Sequence, residues 1–100
     1  MPYLLQVDFP YHGPWGEEMT SSMRELAQSI AREPGLIWKL WTENEAADVA
    51  GGIYLFSELQ AAEAYLSMHA ERLRNFGVPH VNARIFTVNE ALSRIDRAPL

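Results

Sequence analysis

Apolar and polar positions alternate at the start of the chain. Tyr3, Leu5, Val7 and Phe9 fall on one side and Leu4, Gln6 and Asp8 on the other. That period of two predicts a strand over Tyr3–Phe9. Pro10–Gly16 breaks the alternation with two prolines and two glycines, so it reads as a loop. It carries Tyr11, His12 and Trp15, which suits either a loop packed over the core or a lid over a pocket mouth. From Glu17 to Glu33 the period changes. Met19, Met23, Leu26 and Ile30 form one helical stripe, with Glu17 and Glu18 at the electropositive N-terminal end. Pro34-Gly35 stops this helix. Two runs rich in branched and aromatic residues follow, Leu36–Trp41 and Ile53–Phe56, joined by the polar, small-residue segment Thr42–Gly52. They predict two strands.

A second helix opens at Ser57 or Glu58 and runs to Phe76, with Gly77 as its stop. Leu59, Ala62, Leu66, His69, Leu73 and Phe76 recur at spacings of three and four and share one face. Val78–Val88 is the last strand, with Pro79 at its start, where a missing N–H is tolerable. Asn89 is placed to cap a short turn, Glu90–Ile95.

The order β-α-β-β-α-β within 100 residues predicts a single α+β domain spanning residues 1–100. Its expected architecture is ferredoxin-like, a four-stranded antiparallel sheet with both helices on one face. That topology leaves the other face bare. Trp38 and Trp41 are an odd number of residues apart, so on one strand they point to opposite faces. We expect Trp41, with Lys39 and Glu43, on the bare face, and Leu36, Trp38 and Leu40 under the helices. A second copy of the chain would cover an aromatic sheet face, so a homodimer is expected.

Composition narrows the function classes. The net charge is −5 and no basic run is present, which argues against nucleic acid and anionic membrane surfaces as partners. No apolar run approaches the roughly 20 residues of a membrane helix, and no basic-then-apolar leader is seen, so a cytoplasmic location is expected. Cysteine is absent, which removes thiol nucleophiles and thiolate metal sites. His12, His69 and His80 lack ligand spacing, so no metal site is expected. Gly51-Gly52 belongs to no phosphate-loop pattern, and there is no GxSxG.

His69 is the polar member of an otherwise apolar helical stripe. It is either a structural histidine satisfied by its neighbours or a neutral imidazole in an apolar pocket, able to donate or accept a proton. Arg72, one turn on, is placed to orient an anionic or phenolic oxygen or to remain solvated. Tyr65 flanks His69 and offers a hydroxyl, while Trp38 and Tyr54 offer flat walls or ordinary core.

Six blocks of the chain carry a family resemblance: LLQ (Leu4–Gln6), GPWGEEM (Gly13–Met19), EPGLIWKLWTE (Glu33–Glu43), AGGIYLF (Ala50–Phe56), AYLSMHAERLRNFGV (Ala64–Val78) and FTVNEALSRI (Phe86–Ile95). In these the chain resembles the YdhR-like monooxygenases of the dimeric α+β barrel superfamily, which includes the antibiotic-biosynthesis monooxygenases. The resemblance implies a homodimer whose subunits each carry a pocket, and an oxidoreductase activity on a small aromatic or polycyclic phenolic substrate with O2 and no cofactor. For such a reaction the residue pattern itself leads us to assign His69 and Arg72 the catalytic roles, Trp38, Tyr54, Tyr65 and Phe86 to substrate binding, and Trp15 to closing the mouth. The alternative is a non-catalytic homodimer holding a small hydrophobic ligand or haem. A haem-degrading branch pairs a second-helix histidine with an asparagine on the first strand and a tryptophan on the third. Here those positions hold His69, Gln6 or Asp8, and Tyr54.

Overall fold

The computed structural model describes residues 1–100 and threads them as β1 (Tyr3–Pro10), α1 (Gly16–Ala31), β2 (Leu36–Asn44), β3 (Val49–Phe56), α2 (Leu59–Asn75), β4 (Asn82–Thr87) and a short α3 (Glu90–Ile95). The strands form one antiparallel sheet in the order β2-β3-β1-β4. This is the ferredoxin-like arrangement, with β1 and β3 in the centre. No helix is long and apolar enough to cross a membrane.

β2 and β3 run well beyond the two apolar runs and meet in a tight hairpin. Its turn is a single 3-10 turn, Glu45–Ala47, with the Asn44 side chain accepting from the Ala47 N–H and Asp48 in the left-handed conformation. Strand pairing is made by backbone groups, so the small polar residues of Thr42–Gly52 pair as well as apolar ones do. Conversely, β4 begins only at Asn82, later than the pattern suggested. At the chain's end Asn89 accepts from the Leu92 N–H, as a cap should.

The helix-covered face of the sheet carries Leu5, Val7, Tyr54 and Phe56, all essentially sealed from solvent. Ile30 from α1 and Ala62 and Tyr65 from α2 close over them. In α2 the deeply buried line is Ala62, Tyr65, His69 and Leu73, while Leu59 and Phe76 are exposed. Tyr65 therefore belongs to the buried stripe itself.

The faces of β2 are opposite to the expectation. Its register with β3 slips between Leu36 and Trp38, where Ile37 is the extra residue of a bulge. A one-residue slip transfers every following side chain to the other face. Leu36 lies opposite Phe56 in the core, but Lys39, Trp41 and Glu43 now pair with Tyr54, Gly52 and Ala50 on the helix side. Trp38 and Leu40 point to the outer face. There they join Leu4, Ile53 and Phe86, and the Trp38 Nε1–H donates to the Pro99 carbonyl of the C-terminal segment at 3.0 Å. Phe86 and Leu40 remain about half exposed on this face.

Candidate functional site

The space between helices and sheet is filled at one end and hollow at the other. The hollow, about 430 Å³, opens beside the β1–α1 loop and the end of α2. Its walls are mainly apolar: Met19, Met23 and Leu26 from α1, Trp41 from β2, Leu73 and Phe76 from α2, and Phe9 and Tyr11 from β1 and its loop. Two glycines make the room. A Cβ on Gly51 would collide with the Val7 carbonyl oxygen, so β1 and β3 need glycine there to approach each other. A Cβ on Gly52 would come within 2.6 Å of the Lys39 Cε, so the bare Gly52 backbone is the surface on which the Lys39 stem lies.

His69 lines the hollow and is only 3% exposed. Arg72, three residues on, reaches back to it. Its Nη2 lies 2.8 Å and its Nε 3.2 Å from the His69 Nδ1. A guanidinium can only donate, so Nδ1 is the acceptor and the ring proton sits on Nε2. Burial, then the charges of Arg72 and Lys39, push the His69 pKa down to about 3. His69 is therefore a neutral imidazole, suited to donating a hydrogen bond from Nε2–H and unsuited to taking up a proton near neutrality. Metal-binding histidines show the reverse pattern, in which the second nitrogen donates to a partner. Haem ligation by His69 conflicts with its bond to Arg72.

Tyr54 and Tyr65 form the second polar pair. The Tyr65 hydroxyl donates to the Tyr54 oxygen at 3.0 Å, which leaves the Tyr54 proton free for another acceptor. Tyr54 lines the hollow and Tyr65 stands behind it, its ring stacked on His69 with centroids 5.0 Å apart. Burial raises both phenols, Tyr65 to about 12 and Tyr54 further, so both stay protonated.

Lys39 is the charged group that sequence reasoning left outside the site. Its Nζ lies 3.5 Å from the Trp41 ring centroid and 4.6 Å from that of Tyr54, with no carboxylate paired to it. Burial, then the Arg72 charge, lowers its pKa to about 7. The two ring faces act in the opposite sense, because they favour the ammonium. Desolvation is the larger effect, and the amine is left able to exchange a proton near neutral pH.

The residues singled out in the sequence thus divide. His69 and Tyr54 line the hollow, with Arg72 and Tyr65 directly behind them. Trp38 and Phe86 lie on the opposite face of the sheet and form no part of it, because the bulge at Ile37 turned one and strand parity the other. Trp15 does not reach the hollow. It packs edge-on against Tyr11, centroids 5.1 Å apart, and Tyr11 forms the mouth together with Gly13 and Pro14. The Tyr11 hydroxyl donates to the Pro14 carbonyl at 2.9 Å, which holds the loop in shape. Glu43 ties the mouth to the sheet by accepting from the Gly16 N–H at 2.9 Å. Sequence reasoning missed Lys39 and Trp41, and named Tyr11 only as part of a loop over the core or over a pocket mouth. The available signal was a lone lysine inside the run WKLW, where a surface charge has no obvious place.

Comparison with known proteins fits this geometry. The protein-family profile described as "Putative mono-oxygenase ydhR" matches residues 4–99. No curated protein sequence matches the chain. Among solved structures the chain is similar to a variant of SnoaB, a cofactor-independent oxygenase from Streptomyces nogalater, with TM-score 0.62, 21% identity, and 88% of this chain and 93% of that one covered. It is similar to the crystal structure described as "a putative antibiotic biosynthesis monooxygenase from Deinococcus radiodurans", with TM-score 0.60, 13% identity, and 87% and 92% coverage. It is also similar to the Streptomyces coelicolor monooxygenase ActVA-Orf6 in complex with nanaomycin D, with TM-score 0.56, 19% identity, and 87% of both chains covered. At these identities the solved structures establish the shared fold, while the profile spans nearly the whole chain. The protein belongs to the ydhR family of mono-oxygenases.

Proposed function

We propose that the chain is a cofactor-independent monooxygenase acting on a small aromatic or polycyclic phenol with O2, and that it works as a homodimer. One observation carries this reading: the hollow is walled by flat and apolar side chains, and its ionisable groups are His69, Lys39 and tyrosines, with no carboxylate among them. Apolar walls suit aromatic rings, and donors aimed inward suit an oxygen that becomes negative. Family membership points the same way. So do the descriptions of two structural neighbours, one a cofactor-independent oxygenase and the other holding nanaomycin D.

The substrate supplies the electrons. Once ionised, a phenol delocalises its charge onto a ring carbon, and that carbon reduces O2 and forms a C–O bond. Breaking the O–O bond of the resulting hydroperoxide leaves a second carbonyl on the ring and releases water. The balance is phenol plus O2 to quinone plus water. The chain contributes position and hydrogen bonds. His69 Nε2–H and the Tyr54 hydroxyl hold the oxygens on which charge develops. Arg72 keeps His69 neutral and correctly turned, Tyr65 orients Tyr54, and Trp41 and Tyr11 flank the rings. On the outer face Leu4, Leu40, Ile53 and Phe86 form an apolar surface that a second copy would cover.

The test is oxygen uptake with a panel of one- to four-ring phenols under ¹⁸O2. We expect one labelled atom in the product and one in water. His69→Ala should abolish turnover while native mass spectrometry still shows a dimer, and unaltered turnover sinks the assignment. Phenol binding with no oxygen uptake by any substrate would make the hollow a ligand-holding site instead.

A further inference from the structure

The proposed reaction needs a proton acceptor, and His69 is not one. Its Nδ1 lone pair is engaged by two Arg72 donors. Tyr54 and Tyr65 are phenols made less acidic by burial, so neither supplies a phenolate. Around the hollow only one remaining side chain carries a lone pair that a neutral-pH environment can free, and that is the Lys39 amine. We propose that Lys39, laid across Gly52 between the Trp41 and Tyr54 rings, is the base of this site and the cation that holds the phenolate it creates. This rests on the monooxygenase reading above and adds to it a named catalytic residue and a substrate that is bound as an anion.

The geometry is specific. The stem of Lys39 crosses the one strand position where no side chain intervenes, since a Cβ on Gly52 would come within 2.6 Å of Cε. Two aromatic faces then hold Nζ inside the hollow, 3.5 Å and 4.6 Å from their centroids. Nothing of opposite charge occupies the amine. His69 and Arg72 face it from α2, Tyr54 from β3 and Tyr11 from the β1–α1 loop. Glu43, two residues further along the same face of β2, is turned to the Gly16 N–H at the start of α1. An unpaired lysine beside an arginine is an unfavourable arrangement unless an anion joins them. Burial and, after it, the nearby Arg72 charge favour release of the Lys39 proton, and the Arg72 charge is balanced when phenolate enters.

The step balances. The phenolic O–H bond breaks, its proton passes to the Nζ lone pair, and an ammonium–phenolate pair results. The ring electrons go to O2, and the proton held on Lys39 leaves in the water formed when the O–O bond breaks. Lys39 ends as the neutral amine with which it began.

The experiment uses full-length dimer and two readouts. In the first, 4-nitrophenol is titrated into the protein and its visible phenolate band is followed against pH. Bound to the wild type, it should ionise at lower pH than in free solution. Lys39→Met should remove that shift, whereas Lys39→Arg, which keeps a cation but has no accessible neutral form, should preserve it. The second readout is oxygen uptake with the best phenol found. At neutral pH both variants should lose on the order of 100-fold. Lys39→Met should recover as pH rises past the substrate's own pKa, because solution then does the deprotonation. Gly52→Ala, which displaces the stem without removing the amine, should lower turnover while leaving His69-dependent phenol binding measurable. Wild-type uptake with an unchanged pH profile in Lys39→Met would overturn the proposal and leave the monooxygenase reading intact. Failure of the wild type to bind any phenol or consume oxygen would overturn both.

Discussion

The same two helices and the same sheet face make two different materials in this molecule. At one end Phe56, Leu5, Ile30 and Ala62 interlock into a core with exposures of 2% or less. At the other end Gly51 and Gly52 replace side chains, methionines replace branched residues, and a 430 Å³ hollow remains. The polar inventory divides along the same line. Tyr54 and Tyr65 stand at the boundary, packed against Phe56, whereas His69 and Lys39 lie at the hollow end and outside the packed cluster. The comparison shows stability and chemistry kept apart along one sheet. Close packing at one end supports a hollow and a lysine without a carboxylate partner at the other.

The largest effect that would expose this division is in the packed end. Phe56→Ala removes a fully buried ring and should destabilise the fold by about 3–5 kcal/mol, read from denaturant unfolding. That is a large fraction of the stability of a domain this size. A loss below about 1 kcal/mol would mean the end is not tightly packed.

Acid should act on the other end. The folded-state pKa of His69 is depressed to about 3 from an ordinary 6.5, so between those values the unfolded chain binds the proton and the folded chain does not. The stability associated with neutral His69 is complete above about pH 6.5 and is lost as pH falls toward 3, up to roughly 4 kcal/mol. His69→Asn, whose amide oxygen can stand where Nδ1 accepts from Arg72, should flatten that part of the stability–pH curve. If the curve is unchanged, the imidazole is not held neutral by this site.

Lys39 responds to pH in the same sense, in a window above that of His69, but removing it should stabilise the fold. Its pKa is lowered to about 7 from 10.5, so the cost of burying it accumulates as pH falls through that window and is near its full extent at neutrality and below. Lys39→Met keeps the stem and removes the amine. At pH 7 it should stabilise the fold by about 1–2 kcal/mol while turnover is lost, a trade of stability for function at the hollow end. Equal or lower melting temperature in the variant would mean the Trp41 and Tyr54 faces compensate the amine fully.

How much of this was legible differs between the two ends as well. The packed end follows from periodicity: the alternation of Tyr3–Phe9, the Met19–Ile30 stripe and the helix stops at Pro34 and Gly77 lead to the observed order of elements. His69 was also visible, because a histidine in an apolar stripe is a local anomaly. The rest of the hollow was not. A bulge has no strong signature in a run such as LIWKLW, yet it decides that Lys39 and Trp41 face the helices and Trp38 does not. Phe86 failed for a related reason, since alternation groups residues on a strand without saying which group lies inside. Gly51-Gly52 looked like a failed phosphate loop. Their purpose, allowing β1 close and giving Lys39 a place to lie, depends on neighbours remote in sequence.

The smallest effect makes the sharpest comparison, because it uses one helix. Ile30 and Met23 lie two turns apart on α1, on the same stripe, and differ in what faces them. Ile30 is 2% exposed and surrounded by side chains, so Ile30→Ala leaves a void and should cost about 2–5 kcal/mol. Met23 is half-buried and already borders empty space. The atoms removed in Met23→Ala have few partners on the hollow side, so little dispersion energy is lost and the cost should stay below about 1 kcal/mol. The substitution should show up in substrate size instead. With the thioether gone, the hollow gains room beside Trp41, and the ratio of oxygen uptake for three- or four-ring phenols over one-ring phenols should rise by about 3- to 10-fold. Equal destabilisation by the two substitutions would mean that the helix is packed uniformly along its length and that the hollow closes when empty. A stable Met23→Ala with unchanged substrate preference would place the rings elsewhere in the hollow, away from α1 and against Tyr11 and Phe76.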